Sequence, residues 1–138
     1  MTDMHAIARR AIACEGWRWL PGMLAMHPNW RGFRVSHVGL TGMHGACRYA
    51  SPQGGVERAV VALPVPTSSE VLPDLTDPCT LGGLLALVTA AYRWEMLPYM
   101  DSKGDWGVRR AIPGYGPIIP STHRTKAAAL VAALEAAP

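Results

Sequence analysis

The residues best suited to bind a metal in this chain are histidines and one cysteine in its N-terminal half. His37, His44 and Cys47 lie close in sequence, and His44-x-x-Cys47 has a spacing that zinc ligands use. His27 would be available as a fourth ligand. Structural zinc sites usually combine two closely spaced ligand pairs, however, and this segment offers at most one. The alternative is that His37 faces solvent and Cys47 packs as a small apolar residue. We therefore predict no metal site and no cofactor.

Three cysteines, Cys14, Cys47 and Cys79, are the candidate nucleophiles. Cys79 has the strongest local case, since it falls in the first turn of a predicted helix, where the helix N-terminus favours a thiolate. Nothing in the sequence favours a reactive thiol over a buried one. The sequence also contains no nucleophile elbow, zinc-protease motif, P-loop or dinucleotide-binding motif. We therefore predict that the protein is not an enzyme.

The charges are unevenly distributed along the chain. Seven arginines between residues 9 and 58 face only two glutamates, whereas six acidic residues between 70 and 105 face only two basic ones. Five aromatic residues lie among the arginines: Trp17, Trp19, Trp30, Phe33 and Tyr49. Because strands that present arginine and aromatic side chains can hold phosphates and stack bases, segment 9–58 is a candidate nucleic-acid-binding surface. The alternative is an aromatic core beneath a solvated arginine face.

Binding to another protein is the function that the composition favours first. The chain has five tryptophans but a single phenylalanine, and tryptophan and arginine are enriched at interface hot spots. A chain with these residues and without catalytic motifs is typical of a small protein that binds a partner or a second copy of itself. The candidate binding residues, for a protein or a nucleic acid, are Arg18, Trp19, Trp30, Arg31, Arg34 and Arg48.

The composition limits the architecture and the location. At 138 residues the chain fits one domain, and its 49% hydrophobic content is enough for a core. The longest apolar run, residues 81–91, is interrupted by glycines and is shorter than the ~20 residues that span a membrane. The N-terminal residues do not resemble a secretion signal. The cysteine count is odd and no CxxC occurs, so we expect reduced thiols and a cytoplasmic location.

In the N-terminal half, the sequence predicts one helix followed by strands. Thr2 and Asp3 are good caps for an amphipathic helix over residues 3–15, which Gly16 would close. Glycines and prolines then punctuate residues 17–66. The segments 46–50 and 56–63 flank the loop SPQGG and predict a hairpin within an antiparallel meander of three or four strands.

In the C-terminal half, the sequence predicts a helix, a hairpin and a final helix. Asp77 caps the first helix, Pro78 suits its first turn, and Leu84 and Leu85 are expected in the core. Gly82-Gly83 is expected to lie where another backbone comes close. The segment PGYGPIIP, residues 113–120, is predicted to be irregular. Thr125 caps the last helix.

These elements predict an α+β fold with a small antiparallel sheet, formed by the N-terminal meander and the C-terminal hairpin, and three helices. We expect a single domain over residues 1–138. Its parts are a helix with the meander at 1–66, a proline-rich connection at 67–76, and a helix–hairpin–helix segment at 77–138.

Three stretches, EGWRWLPGM at 15–23, LPDLTDPCTLGGLLALVTAAY at 72–92 and RTKAAALVAALEAA at 124–137, carry a resemblance. Together they resemble small uncharacterised proteins of tailed phages and prophages of high-GC bacteria. Residues 77–137 also resemble the phage ABA sandwich domain, in which helices cover a small sheet. The resemblance implies a phage origin and a location in the host cell. It says nothing about mechanism and assigns no residue a role. A phage protein with no catalytic motif, an uneven charge pattern and several tryptophans and arginines fits a small binder of a host protein, for example an inhibitor of a defence system.

Overall fold

Two antiparallel sheets and three helices make up the part of the chain that the structure describes. This computed structural model describes residues 3–27, 30–39, 42–50, 56–61, 71–112, 114 and 116–138. The predicted α+β class, with three helices and antiparallel strands, is confirmed. The strands are divided between two sheets, whereas the sequence predicted one. The chain likewise divides into a terminal unit, residues 1–18 with 84–138, and a central unit, residues 19–83.

A five-stranded sheet forms the centre of the central unit. Its strands are β1 (Leu24–His27), β2 (Trp30–Gly39), β3 (Gly42–Ala50), β4 (Val56–Val61) and β5 (Leu72–Pro73). All neighbours are antiparallel, in the order β4-β3-β2-β1-β5, which confirms the predicted meander. Ala50 lies opposite Val56, so the predicted hairpin is present on both sides of the SPQGG loop. The loop itself lies outside the described residues.

The predicted proline-rich connection ends in the core of the central unit. Val71 and Leu72 are buried, and β5 pairs with β1 at the edge of the sheet. An edge strand bonds to one neighbour only, which is why Pro73 is tolerated there. Val71 packs in a cluster of buried side chains with Ala25, Phe33 and Val35. The end of the predicted connection therefore forms strand β5. Residues 62–70 are outside the described part of the structure.

Helix α2 (Pro78–Tyr92) begins in the central unit and continues into the terminal unit. The predicted cap is confirmed, because Asp77 Oδ2 accepts hydrogen bonds from the amide and the hydroxyl of Thr80, both at 2.9 Å. Leu84 is buried as predicted, but Leu85 is only half-buried, so that prediction is wrong. Leu87, which the sequence pattern did not select, is buried instead. The apolar residues of α2 surround much of the helix, and their spacing alone does not fix the buried side.

The two glycines in α2 have different surroundings. A Cβ on Gly83 would lie 2.6 Å from the Cε of Met23, whereas a Cβ on Gly82 would meet nothing within 4 Å. The neighbour of Gly83 is therefore a side chain, and the expected close backbone is not found at either glycine among the described residues. Gly83 makes room for Met23, which is fully buried.

The terminal unit combines two helices, the remainder of α2 and a three-stranded sheet. Its elements are α1 (Met4–Ala13), β6 (Met96–Met100), β7 (Trp106–Arg110), β8 (Pro117–His123) and α3 (Lys126–Glu135). Asp3 caps α1 and Thr125 caps α3, as predicted. Helix α3 packs against the sheet and against α1. The division into units therefore separates α1 from the strands that follow it, although the predicted segment 1–66 grouped them. Helix α1 ends before Gly16, the residue predicted to close it, because its C-cap is Cys14. Gly16 lies beside Leu134.

Prolines occupy both edge strands of the three-stranded sheet, whose order is β6-β7-β8. The prediction that residues 113–120 are irregular is wrong from Pro117 onward, because β8 contains Pro117 and Pro120. An edge strand can hold prolines that face away from its neighbour. The amide of Ala111 donates to the carbonyl of Glu95, and the amide of Asp101 donates to the carbonyl of Asp105. Because hydrogen-bonded and non-hydrogen-bonded pairs alternate along antiparallel strands, the odd-numbered residues of β6 are the ones that bond to β7. That alternation turns the nitrogen of Pro98 away from β7.

Candidate interaction surface

Arg34 is the predicted binding residue whose surroundings the structure describes most completely. It lies on β2, where Nη1 is 2.6 Å from Asp77 Oδ2 and Nη2 is 3.0 Å from Asp77 Oδ1. Nη1 also donates to the carbonyl of Gly22 at 2.8 Å. The hydrogen bonds from Arg34, and then those from Thr80, lower the pKa of Asp77 to about 2. The guanidinium of Arg34 therefore supports the start of α2.

The other predicted binding residues are distributed along the chain. Trp19 packs against the buried cluster of the central unit, which is a structural position. Arg18 is exposed at the end of the first segment of the terminal unit. Trp30 and Arg31 lie on β2, and Arg48 lies on β3 opposite Arg58. The side chains of these three residues are outside the description, so their part in binding stays a prediction.

The residues considered for a metal site lie on two paired strands. His37 on β2 is opposite His44 on β3, and Cys47 is opposite Phe33. The side chains of His27, His37, His44 and Cys47 are outside the described part of the structure. Among the side chains that are described, no group of three histidine, cysteine or acidic residues could hold a metal ion.

A cleft of about 600 Å³ lies in the terminal unit beside the only ion pair between α1 and α3 among the described residues. Arg10 donates to both carboxylate oxygens of Glu135, at 2.8 and 2.7 Å, and these bonds lower the pKa of Glu135. Cys14 lines the same cleft and donates to the carbonyl of Arg10. Burial, and then the charge of Glu135, raise the pKa of the Cys14 thiol. These surroundings favour the protonated thiol over the nucleophilic thiolate. Cys79, the other described cysteine, is exposed.

Exposed apolar side chains are concentrated around the β6–β7 hairpin. In the described part of the chain, the large apolar residues that are exposed all lie between residues 94 and 112: Trp94, Leu97, Met100 and Ile112, at 45%, 38%, 58% and 44%. Two of them lie on the hairpin and two flank its open end, a denser grouping than the scattered exposure of single apolar residues that is ordinary in proteins. The hairpin is therefore the candidate interaction surface of the terminal unit.

Trp94, Arg110 and Ile112 form the part of this surface that we call the Trp94 patch. Trp94 and Ile112 lie one residue beyond the backbone hydrogen bond from Ala111 to Glu95, at the open end of the hairpin. The guanidinium of Arg110 stands 5.0 Å from the centre of the Trp94 ring, which is cation–π distance. Trp94 is one of the five tryptophans in the sequence, but the predicted binding residues all lay in segment 9–58. The useful signal was a tryptophan next to charged residues immediately after a helix.

Arg93 gives the chain an unusual backbone conformation beside this patch. Its φ is 58°, and among the described residues it is the only one other than glycine with positive φ. A left-handed residue commonly ends a helix, but this position is usually a glycine, and a larger side chain costs about 1–2 kcal/mol there. The turn at Arg93 leads from α2 into β6 and leaves Trp94 exposed. Local strain of this kind often accompanies binding sites.

The outer face of the three-stranded sheet, the face opposite α3, is a second part of the hairpin surface. Val108 and Met96 are buried toward α3, so the alternating residues Leu97 and Arg109 point outward. The guanidinium of Arg109 lies 5.9 Å from the centre of the Tyr99 ring. That ring covers Gly107, where a Cβ would be 2.7 Å from Tyr99 and 2.6 Å from the carbonyl of Ile119.

Comparisons with protein-family models, curated proteins and solved structures found no match for this chain. In the part of the chain that the structure describes, no helix combines the length and the apolar character that crossing a membrane requires.

Proposed function

We propose that this chain is a non-catalytic interaction protein that binds another protein through the Trp94 patch. The observation that carries the proposal is the exposed pair of Trp94 and Ile112 with Arg110 stacked on the indole ring. Tryptophan and arginine are the residues most enriched at hot spots. The stacked guanidinium also reduces the conformational entropy that the side chains would lose on binding.

The partner that we propose is a protein of a bacterial host cell, and the chain is then an inhibitor of that protein, for instance in a defence system. The resemblance of segments 15–23, 72–92 and 124–137 to phage and prophage proteins supports this part of the proposal. A small inhibitor needs a binding surface rather than catalytic groups, and the Trp94 patch meets that need. This function requires no cofactor.

Nucleic acid is the alternative partner, through the arginines of segment 9–58. Two of these arginines, Arg10 and Arg34, are engaged by Glu135 and Asp77, which makes them less available to phosphates. Arg31 and Arg48 remain candidates on β2 and β3. A gel shift with single-stranded and double-stranded oligonucleotides at several salt concentrations tests this alternative, since phosphate contacts weaken steeply with salt.

The proposal is tested by capturing the partner from a lysate of a high-GC bacterium with the wild type and three single variants. Trp94→Ala and Ile112→Ser each remove an apolar member of the patch. Met100→Ser is the matched control, because Met100 is also exposed but lies at the other end of the hairpin. We expect the first two variants to lose at least about tenfold in capture of one specific protein, and the control to retain it.

Two results would contradict this assignment. Equal capture by Trp94→Ala and the wild type, with both proteins folded by circular dichroism, would remove the Trp94 patch from the interface. Salt-sensitive binding of oligonucleotides that is lost in Arg31→Ala and Arg48→Ala would favour the nucleic-acid alternative instead.

A further inference from the structure

Four residues on the outer face of the three-stranded sheet form a compact rectangular group. Leu97 lies opposite Arg109 in the register of β6 and β7, and Glu95 lies opposite Ala111 through the backbone hydrogen bond between them. Successive residues on one face are about 7 Å apart along a strand, and paired strands are about 5 Å apart. Glu95 and Arg109 therefore occupy one diagonal of the group, and Leu97 and Ala111 occupy the other.

The charged residues of this group are not paired with each other. Glu95, Leu97 and Arg109 are exposed, and within the described part of the chain neither Glu95 nor Arg109 forms an ion pair. Arg109 instead lies over the Tyr99 ring, which holds its guanidinium on the outer face. The group thus presents one acid, one base and an apolar residue between them.

We propose that this face binds the same face of a second copy of the chain about a two-fold axis. An axis that lies in the interface along the Leu97–Ala111 diagonal brings Leu97 against the partner's Leu97. The same rotation places Glu95 over the partner's Arg109 and Arg109 over the partner's Glu95. A two-fold interface must be complementary to itself, and opposite charges at the two ends of one diagonal meet that requirement. The strands of the two copies then cross steeply, as in orthogonal sheet packing.

The alternatives for this surface fit the side chains less well. Addition of a strand at either edge is disfavoured, because Pro98 in β6 and Pro117 and Pro120 in β8 leave these edge strands with fewer backbone N–H groups. A nucleic acid would bring phosphates close to the carboxylate of Glu95, which repels them. Face-to-face packing of two copies uses the apolar residue and both charges.

The association is expected to be weak because the face is small. Two strands of five residues and one of seven cover roughly 17–23 Å by 10–15 Å, well below the ~800 Å² per partner of a standard interface. The dimer should therefore form in the concentration range from about 10 μM to 1 mM and weaken as salt is added. Sedimentation velocity or small-angle scattering over that range measures it.

The decisive experiment uses two charge reversals, Glu95→Arg and Arg109→Glu, alone and mixed. Each variant alone places like charges against each other at both ends of the diagonal, so each should stay monomeric where the wild type dimerises. An equimolar mixture of the two variants restores opposite charges at both positions. We expect the mixture to form a heterodimer at least about tenfold more tightly than either variant self-associates. The double variant in one chain should self-associate again.

Several outcomes would overturn the proposal. One is a wild type that is still monomeric at about 1 mM, which would leave this face free for a different molecule. A second is that both single variants associate as strongly as the wild type. A third is that the mixture of the two variants stays monomeric although both proteins are folded. These outcomes are independent of the proposed function, because Trp94, Arg110 and Ile112 are unchanged in every protein of this experiment.

Discussion

The guanidinium of Arg34 on β2 and the carboxylate of Asp77, the residue that caps α2, are joined by two hydrogen bonds of 2.6 and 3.0 Å. Asp77 also accepts from Thr80, whose hydroxyl in turn accepts from the amide of Leu24 at 2.8 Å. The Asp77 side chain is only 12% exposed. One carboxylate therefore connects the first turn of α2 to two strands of the sheet.

The first prediction concerns the loss of this stabilisation in acid. The pKa of Asp77 is lowered from 3.8 to about 2 by Arg34 first and then by Thr80. Because the folded pKa is below the unfolded one, the contribution is fully present above about pH 4 and is lost as the pH falls toward 2. It amounts to at most about 2 kcal/mol, since Arg34 is partly exposed and solvent screens the pair. Urea unfolding at about pH 5 and pH 2.5 measures it.

Asp77→Asn is the control for the acid dependence. An asparagine still accepts the hydrogen bond that caps the helix but has no charge to titrate. The free energy of unfolding should therefore fall less with acid than in the wild type, and an unchanged pH dependence would contradict the assignment. Asp77→Ala removes the cap and the ion pair together. This variant should therefore lower the free energy of unfolding by at least the upper end of the range of about 0.5–2 kcal/mol that is usual for a lost cap.

The second prediction compares two neighbouring leucines of α2. Leu84 is fully buried and Leu85 is half-buried. Leu84→Ala should cost about 2–5 kcal/mol in the free energy of unfolding, because it leaves a cavity in a core. Leu85→Ala should cost less, below about 2 kcal/mol. Chemical denaturation of both variants checks the order, and a larger effect at Leu85 would show that the buried side of α2 is assigned wrongly.

The third prediction compares the two glycines of the same helix. Gly82→Ala should stabilise the protein by up to about 1 kcal/mol, because the helix gains propensity and the new methyl group meets no neighbour. Gly83→Ala gains the same propensity but pushes against the buried Met23 side chain. It should therefore be about 1–3 kcal/mol less stable than Gly82→Ala. Equal melting temperatures for the two variants would show that Met23 repacks freely.

The fourth prediction is that no stoichiometric zinc co-purifies with the protein. Segment 37–47 provides at most one closely spaced ligand pair, His44 and Cys47, where structural sites need two. Elemental analysis of protein purified without chelators measures the bound metal. One equivalent of zinc that disappears in the variant with both His44→Ala and Cys47→Ala would show that these residues bind metal after all.

The sequence predicted those elements whose local chemistry determines the backbone. Asp3, Asp77 and Thr125 were recognised as caps because a side-chain acceptor at a helix start acts within a few residues. The errors arose where the outcome depends on distant residues. Leu85 follows the helical pattern as well as Leu87 does, and only tertiary packing selects between them. Pro117 and Pro120 suggested a loop because their tolerance depends on β8 lying at a sheet edge.

The candidate surface was harder to predict than the fold. Arginines and tryptophans were counted in segment 9–58, but the sequence does not show that Arg34 is bound by a carboxylate 43 positions away or that Trp19 packs on a core cluster. The exposure of Trp94 is likewise a property of the folded hairpin. Residue type identifies the side chains that are able to bind a partner, and the fold decides which of them remain accessible.

The pairing of α1 with α3 also has a consequence for folding during synthesis. Arg10 and Glu135 are separated by 125 positions, and the complete central unit lies between them in the chain. On the ribosome, the strands β1–β5 are available to pair long before the partner of α1 exists. Helix α1 therefore cannot pack Ile7, Ala8 and Ala11 against α3 until the residues of α3 have been made. A chaperone that binds nascent chains would find its apolar target in helix α1.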